Sequence, residues 1–248
     1  MKQLLAIDIG NTNITVGALK GERLVRKTKI PTHNYFIYEK LLNNFMKNCG
    51  FDNKCSVVIS SVVPEALSYL TKILRKKKYR IIVIGKDKKV PMSNLYKKKS
   101  EVGQDRLVNA YGAKALYGAP CVIIDLGTAI TFDIVSRKGE YLGGLILPGI
   151  ELSLRSLYER TALLPKVVLR PSTNIIGKDT VNSMRAGILF GFGAMCDGLV
   201  SEYRKILGAN TKVIATGGNA RLMKRYAKSI QTVDPDLTLK GLHLLVTQ

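Results

Sequence analysis

The sequence predicts an α/β protein made of two similar halves, each with a mixed β-sheet and flanking helices. Three observations lead to this prediction. The motif Asp-x-Gly follows an apolar run twice, in LLAIDIGNTNITVGAL (4–19) and in CVIIDLGTAITFDIV (121–135). Each motif opens a series of three short apolar or alternating segments, as hairpin-linked strands do. Helical patterns and further strands follow in both halves, which indicates an internal duplication.

The first half is predicted from strand alternation, turn signals and helical spacing. Gly10-Asn11 and Gly21-Glu22 separate the first three strands as hairpin turns. Pro64 is suited to the first turn of a helix, and the β-branched run before it indicates a buried strand. The expected elements are strands at 3–9, 13–19 and 22–28, a helix at 38–49, a strand at 56–63, a helix at 64–75 and a strand at 80–84.

The second half repeats this order. The expected elements are strands in VIIDLG, TAITFDIV and EYLGGLIL, helices at 149–159 and 180–207, a strand in KVIATGGNA that runs into a Gly-Gly turn, and a short C-terminal helix in DPDLTLKGLHLLV. We therefore divide the chain into domains 1–114 and 115–248. The polar, lysine-rich segment 85–100 is expected to be a loop or a lid.

Composition narrows the classes of function. A chain of 248 residues that is 46% hydrophobic can form one large core or two small ones. It has no apolar stretch long enough to span a membrane and no signal-type N-terminus, so we expect a cytoplasmic protein without a membrane partner. Four cysteines without a CxxC pair argue against a disulfide framework or a zinc site, and two histidines argue against His-based catalysis.

The formal net charge of +21 is high, and much of it lies in short runs at 75–80, 86–89 and 97–99. One interpretation is a nucleic-acid-binding or regulatory protein. The other is a solvated basic face, or a site that attracts anionic substrates. We favour the second, because aromatic residues do not alternate with the basic runs as a base-stacking surface requires.

The repeated motif is suited to phosphate binding. At a hairpin tip the glycine exposes backbone N–H groups, and Asn11, Thr12 and Thr128 add short donors. Asp8 and Asp125 end the first strand of each copy and can hold a metal ion or its waters beside those phosphates. Two such hairpins facing each other across a cleft would bind a nucleoside triphosphate from both sides.

A second candidate site is Gly103-Gln104-Asp105-Arg106, just before a predicted helix. Free backbone N–H groups at a helix start favour anions. Asp105 could accept a proton from a substrate hydroxyl, and Arg106 could pair with a substrate carboxylate. The residues alone leave an ordinary alternative open, in which Asp105 caps the helix and Arg106 forms a surface ion pair.

The two hairpins resemble those of the sugar-kinase, actin and heat-shock-chaperone superfamily, which implies two actin-like (ribonuclease H-like) domains. The Gly-Gly pair of IATGGNA (214–220) is similar to that superfamily's adenosine-contacting element, although an ordinary strand-to-helix turn would look the same. Within the superfamily, the chain resembles the type III pantothenate kinases. The segments that carry this resemblance are DIGNTN, EVGQDRLVNAYGA, DLGTAIT, GGLILPG, RTALLP, IGKDTVNSMRAGILFG and VDPDLTLKGL.

The resemblance implies ATP-dependent phosphorylation of pantothenate to 4′-phosphopantothenate, the first step of coenzyme A biosynthesis. It implies ATP with Mg²⁺ and a monovalent cation, K⁺ or NH₄⁺. Asp105 would be the catalytic base. The implied ATP-binding residues are Asp8, Ile9, Gly10, Asn11, Thr12, Asn13, Ile14, Thr15 and Thr128. The implied substrate-binding residues are Tyr96, Gly103, Gln104, Asp105, Arg106 and Thr180.

Asp125, Thr180 and Tyr96 carry further expectations. The resemblance makes Asp125 a ligand of the monovalent cation, although spacing alone does not separate this role from that of a magnesium ligand. Thr180 would reach the substrate of the neighbouring subunit in a homodimer, joined partly by the apolar helix 187–200; by its position it could also be an ordinary N-cap. Tyr96 departs from the family pattern, which usually has a proline before Gly103 where this chain has lysines and a serine. A kinase of another small alcohol is a further alternative.

Overall fold

The structure is a computed structural model that describes residues 3–52 and 54–247. The strands are β1 (Gln3–Ile9), β2 (Asn13–Lys20), β3 (Arg23–Pro31), β4 (Ser56–Ser61), β5 (Arg80–Val83), β6 (Cys121–Leu126), β7 (Ala129–Val135), β8 (Tyr141–Pro148), β9 (Lys212–Thr216) and β10 (Thr232–Val233). The α-helices are α1 (Tyr38–Cys49), α2 (Pro64–Lys76), α3 (Gln104–Tyr117), α4 (Ile150–Arg160), α5 (Thr180–Leu207), α6 (Ala220–Met223) and α7 (Leu237–Thr247).

The chain divides into two compact units. The first consists of Met1–Gly112 with Leu237–Gln248, and the second of Ala113–Asp236. Each contains a five-stranded sheet, ordered β3-β2-β1-β4-β5 in the first unit and β8-β7-β6-β9-β10 in the second. In both, the first three strands of the unit are antiparallel and the last two are added in parallel. The prediction of an α/β fold with two mixed sheets is confirmed.

The first sheet has an apolar layer on each face. One face packs against α1 and α2 through a cluster that includes Leu5, Ile7 and Leu42. The other face packs against α3 and α7 through a cluster that includes Val108 and Leu242. Alternating residues of β1 supply the two clusters in turn, as the twofold repeat of a strand requires. This arrangement fixes α3, whose first turn carries Asp105.

The packing of α7 explains a difference from the predicted division of the chain. We placed the C-terminal helix in the second half, whereas α7 contacts β1, β2 and β4 of the first unit. Two glycines permit this contact: a Cβ on Gly112 would lie 3.0 Å from the Cα of Gly241, and a Cβ on Gly241 would lie 2.6 Å from the carbonyl oxygen of Val108. The backbones of α3 and α7 therefore pack directly against each other.

The second unit packs one face of its sheet against the 28-residue helix α5 and the shorter helices α4 and α6. Ile124, Phe132 and Val200 are fully buried in this core. The expected helices 38–49 and 180–207 match α1 and α5, whereas the strand expected over 56–63 ends at Ser61, just before Pro64 opens α2. No helix of the described residues, 3–52 and 54–247, has the length and apolar character needed to cross a bilayer.

Candidate active site

The first Asp-x-Gly motif forms the tip of the hairpin between β1 and β2. Asp8 pairs with Thr15 across the two strands. The loop Gly10–Asn13 is closed by the N–H of Gly10, which donates to the carbonyl of Asn13 at 3.1 Å. Within it, Asn11 and Thr12 are exposed. The loop thus presents short polar groups next to a half-buried carboxylate, and its binding of phosphate stays a prediction.

Thr32, which directly follows β3, holds this tip in place. Its N–H donates to the carbonyl of Thr12 at 3.0 Å, and its hydroxyl donates to the carbonyl of Gly10 at 2.7 Å. Its own carbonyl accepts a hydrogen bond from the hydroxyl of Tyr38. Because Thr32 is fully buried, these bonds fix the loop backbone from the interior of the first unit.

The second motif forms the equivalent hairpin between β6 and β7. Asp125 pairs with Thr131, and the N–H of Gly127 donates to the carbonyl of Ala129 at 3.1 Å. The loop has one residue fewer than its counterpart, and Thr128 at its tip is exposed. Asp8 and Asp125 therefore occupy equivalent positions. Each lies one residue before the end of the first strand of its unit and pairs with a threonine of the next strand.

Two glycines make room for the backbone and carboxylate of this second hairpin. The N–H of Gly149 donates to the carbonyl of Thr128 at 3.1 Å, and a Cβ on Gly149 would overlap that carbonyl and lie 2.5 Å from the carbonyl oxygen of Gly127. Gly217 has a φ of +89°, and a Cβ there would overlap the Asp125 carboxylate. The Gly-Gly turn of the second unit therefore contacts the carboxylate that was expected to bind a cation.

The segment 103–106 lies at the start of α3 in the first unit. Its place relative to the first hairpin follows from two contacts. The N–H of Val62 donates to the carbonyl of Ile9 at 3.1 Å, and a Cβ on Gly103 would lie 3.4 Å from a methyl group of Val62. The first turn of α3 therefore lies beside the end of β4, the strand next to the one that carries Asp8.

Asp105 is half-buried at this helix start. Burial raises the pKa of its carboxyl group above the ordinary value of 3.8, and this effect is opposed by the N–H and the positive charge of Arg106. The carboxylate accepts a hydrogen bond from that N–H at 2.8 Å. A Cβ on Gly103 would overlap the same oxygen, so the glycine makes room for the carboxylate. The capping alternative is thus correct in part, since Asp105 satisfies one N–H of the helix start.

The remaining candidates of the first unit differ in their surroundings. Arg106 is 8% exposed, so the alternative of a surface ion pair is wrong. Gln104 packs against Gly85, where a Cβ would lie 2.6 Å from its amide carbon. Tyr96 is half-buried in the lysine-rich loop, and its N–H donates to the side chain of Asn94 at 2.9 Å. The segment 85–100, expected to be a loop, contains no α-helix and no strand of either sheet, but a short 3-10 helix, Lys99–Glu101, begins at its end.

Thr180 is exposed at the first position of α5, in the second unit. The N-cap is Asp179, whose carboxylate accepts from the N–H of Asn182 at 2.8 Å. The reading of Thr180 as an N-cap is therefore wrong, because an aspartate stands one residue earlier and its carboxylate reaches the free N–H. The hydroxyl of Thr180 is not needed to cap the helix.

The sequence patterns do not mark Thr32 as a site residue, and they mark Gly149 only as the last residue of GGLILPG. Both lie directly after a strand that ends in proline, Pro31 or Pro148. That repeated proline is the one signal that could have indicated them. Among the described residues, no group of three or more His, Cys, Asp or Glu side chains is placed to hold a metal ion. A cation at either hairpin would therefore need backbone oxygens, water or phosphate among its ligands.

The two five-stranded sheets, each with an Asp-x-Gly hairpin, have the actin-like fold that sugar kinases also have. A solved structure with this fold comes from Sinorhizobium meliloti and is assigned as a 2-dehydro-3-deoxygalactonokinase. The likeness has a TM-score of 0.59 at 9% sequence identity and covers 98% of this chain and 95% of that one.

Relatives narrow the class further. A family model described as type III pantothenate kinase matches residues 4–202. Type III pantothenate kinases from Syntrophus aciditrophicus and Myxococcus xanthus are 40% and 41% identical to this chain; the matches cover 98% of this chain and 98% and 97% of those proteins. The chain belongs to the type III pantothenate kinase family.

Proposed function

We propose that this protein transfers the γ-phosphoryl group of ATP to pantothenate, forming 4′-phosphopantothenate in the first step of coenzyme A biosynthesis. Family membership over nearly the whole chain supports this function. The structural observation that carries it is the half-buried Asp105 carboxylate, fixed at a helix start in the same unit as the first phosphate-type hairpin. We assign the reaction to the cytoplasm. ATP is available there, and a reducing compartment suits the four cysteines, which are free thiols.

Asp105 is the general base of the proposed reaction. Its carboxylate accepts the proton of the primary hydroxyl of pantothenate as the hydroxyl oxygen bonds to the γ-phosphorus. The bond between that phosphorus and the bridging oxygen breaks, and ADP leaves with the electron pair. Burial raises the pKa of Asp105 toward the working pH, which makes it a better proton acceptor than an exposed aspartate. Positioning and charge neutralisation supply most of the rate in such transfers.

The remaining first-unit roles follow from their positions. The first hairpin, residues 8–15, binds the ATP phosphates at its tip, where Asn11 and Thr12 are exposed, while Ile9 and Ile14 are buried in the core and only hold the hairpin in place. Magnesium, when bound, neutralises the charge that develops on the phosphates, and Asp8 is the carboxylate that would hold it or its waters. Gly103, Gln104 and Arg106 bind pantothenate. Arg106 is suited to its carboxylate because a mostly buried guanidinium pairs with carboxylates in two parallel hydrogen bonds.

In the second unit we assign Thr128 to ATP and Asp125 to the monovalent cation. The carboxylate of Asp125 lies against the backbone of Gly217, where no Cβ intervenes. A single carboxylate with backbone carbonyls is a donor set of oxygen only, which suits K⁺ better than a transition metal. Ammonium has a similar size and charge and would compete for the same oxygens.

Substrate binding in this proposal also involves a second copy of the chain. Pantothenate contacts Tyr96 of one subunit and Thr180 of the partner subunit. Helix α5 supports a homodimer. Gly187, Gly191, Ala194 and Gly198 are exposed along it at intervals of three or four residues. A Cβ at any of the three glycines would meet nothing within 4 Å. Such a stripe allows two helices to approach closely.

The first test is ADP release by the wild-type protein with pantothenate, with and without K⁺. Turnover that depends on pantothenate is expected, and its absence in a folded, ATP-binding protein would overturn the proposal. Asp105→Asn should lower kcat by roughly 10²–10⁴-fold, because the amide cannot accept the proton. Glu101→Gln is the matched control, since Glu101 is exposed and pairs only with Lys98 among the described residues, at 3.1 Å.

The pH dependence gives an independent check of the base. The wild-type kcat/KM for pantothenate should fall as the pH drops through the raised pKa of Asp105 in the free enzyme, because only the carboxylate is active. The same shift predicts the sign of its effect on folding. A raised pKa stabilises the folded state at low pH, and this contribution is lost as the pH rises through the folded value. Asp105→Asn should therefore be at least as stable as wild type at neutral pH, as measured by urea unfolding.

Mixed dimers test whether the site is shared between subunits. If one subunit supplies Asp105 and the partner's Thr180 completes the site, Asp105→Asn and Thr180→Ala dimers should both be impaired. After subunit exchange, each mixed dimer would contain one intact site, so roughly a quarter of wild-type turnover should return. Recovery that stays at the level of the separate variants would place both residues in the same subunit's site.

A further inference from the structure

Ser60, near the end of β4, is a buried hydroxyl without a hydrogen-bond partner in the described part of the chain. The residue is 0% exposed, and its Oγ atom forms no hydrogen bond with any of the described residues. Buried hydroxyl groups in folded proteins are nearly always bonded, because burial without a partner costs folding free energy. An unbonded hydroxyl next to a candidate site indicates that a ligand or an ordered water supplies its hydrogen bond.

The position of Ser60 is defined by the sheet. It is in register with Asp8 on the neighbouring parallel strand β1. In-register residues of adjacent strands point to the same face, with strands about 4.8 Å apart. Two residues earlier, Ala6 and Val58 belong to the apolar cluster beneath α3 and α7. Asp8 and Ser60 therefore lie on that same face, one step closer to the strand ends.

The second unit repeats this arrangement. Asp125 is in register with Thr216 of β9 on one side and with Thr131 of β7 on the other. Asp8 likewise lies between Ser60 and Thr15. Each aspartate at a first-strand end is thus placed between two residues that carry hydroxyl groups, although the surrounding positions differ. A pair of hydroxyls beside a carboxylate is an all-oxygen set, the type that hard cations and their waters prefer.

We propose that the Ser60 hydroxyl, together with Asp8, forms the binding site for the hydrated magnesium ion that accompanies ATP. This inference rests on the proposed function. The neighbouring carboxylate disfavours a phosphate oxygen at the same place, whereas metal-bound water can donate to both the carboxylate and the hydroxyl. Ser60 thereby positions the hydrated ion and has no part in the proton transfer. Its unfilled hydrogen bond in the free protein is satisfied when the ion binds.

The test compares Ser60→Ala with Ser229→Ala, because Ser229 also carries a buried hydroxyl but lies in the second unit, next to Asp197. Binding of adenylyl imidodiphosphate is measured by calorimetry at increasing Mg²⁺, and unfolding by urea without nucleotide or metal. Ser60→Ala should raise the Mg²⁺ concentration for half-maximal binding roughly 10-fold. Its stability should be unchanged or higher. Ser229→Ala should leave the Mg²⁺ dependence unchanged.

Each result has a distinct meaning. An unchanged Mg²⁺ dependence in Ser60→Ala, with a wild-type protein that binds the nucleotide and phosphorylates pantothenate, would overturn the role of Ser60 alone. A marked loss of stability in Ser60→Ala without metal would also overturn it, because the hydroxyl would then have a structural partner. A wild-type protein that neither binds the nucleotide nor turns over pantothenate would overturn the proposed function, and this inference with it.

Discussion

The two Asp-x-Gly hairpins have the same strand pairing but are held in different ways. In the first unit, a threonine directly after β3 holds the loop with its N–H and its hydroxyl. In the second unit, Gly149 occupies the equivalent place after β8 and approaches so closely that only its N–H is used. The comparison shows that a duplicated backbone can keep one hydrogen bond while exchanging a side-chain contact for a tight backbone contact.

A second difference concerns the element after the fourth strand of each sheet. In the first unit, Ser61 is followed by Val62 and Val63 and then by Pro64 at the start of α2. In the second unit, Thr216 is followed by Gly217 and Gly218, and Gly217 has a left-handed φ of +89°. At this point the second unit brings bare backbone against its aspartate, whereas the first unit continues with two valines. We connect this difference with separate roles for Asp8 and Asp125.

The largest effect on folding is expected from Gly149→Ala. Its methyl group would overlap the carbonyl of Thr128, and the backbone around it has no space to move away. We expect a loss of about 3 kcal/mol in the free energy of unfolding, at the upper end for overpacking. Urea unfolding measures it. Ser156→Ala in helix α4 of the same unit is the control, because Ser156 is exposed and alanine favours a helix, so this variant should be neutral or stabilising. Equal stability of the two variants would contradict the tight contact.

Exchanging the carboxylates tests whether the two hairpins bind different cations. Asp125→Asn should raise the K⁺ concentration for half-maximal turnover by roughly 10–100-fold, with little change in the Mg²⁺ requirement. Asp8→Asn should do the reverse, because its carboxylate is proposed to hold the magnesium waters. Turnover over a grid of both cation concentrations is the measurement. If both variants shifted the dependence on one cation only, the division of roles between the two units would be wrong.

The smallest effect is expected from Thr32→Val. Valine has nearly the same shape and keeps the N–H bond to Thr12, but it cannot donate to the carbonyl of Gly10. We expect a loss of about 1 kcal/mol in the free energy of unfolding, the usual value of one buried hydrogen bond. ATP affinity should fall as the loop loosens. A stability loss as large as that of Gly149→Ala would mean that the first hairpin depends on this residue as strongly as the second depends on its glycine.

The sequence allowed the sheets and most helices to be predicted because the signals were local. Hairpin turns, a proline in a first helical turn and helical spacing each act over a few residues, and the duplication doubled the evidence. Asp105 and the two hairpin aspartates were proposed as site residues on motif and resemblance, and their roles remain predictions. Their surroundings, such as the burial of Arg106, became visible only in the structure.

What could not be predicted depends on contacts between distant residues. The close approach of Gly112 to Gly241 allows α7 to pack in the first unit, and no local sequence pattern predicts this contact. The unbonded hydroxyl of Ser60 is likewise a property of the packed sheet, since serine in a strand is unremarkable by itself. The N-cap of α5 was misplaced by one residue because both Asp179 and Thr180 are good capping residues.

The membership of α7 in the first unit has a consequence for how the protein is made. The ribosome delivers residues 113–236 before it delivers Leu237–Thr247. The second unit is therefore complete along the chain while the first still lacks a helix that covers one face of its sheet. During synthesis, the apolar cluster that includes Leu4 and Val58 is therefore covered by α3 alone until α7 emerges and completes it.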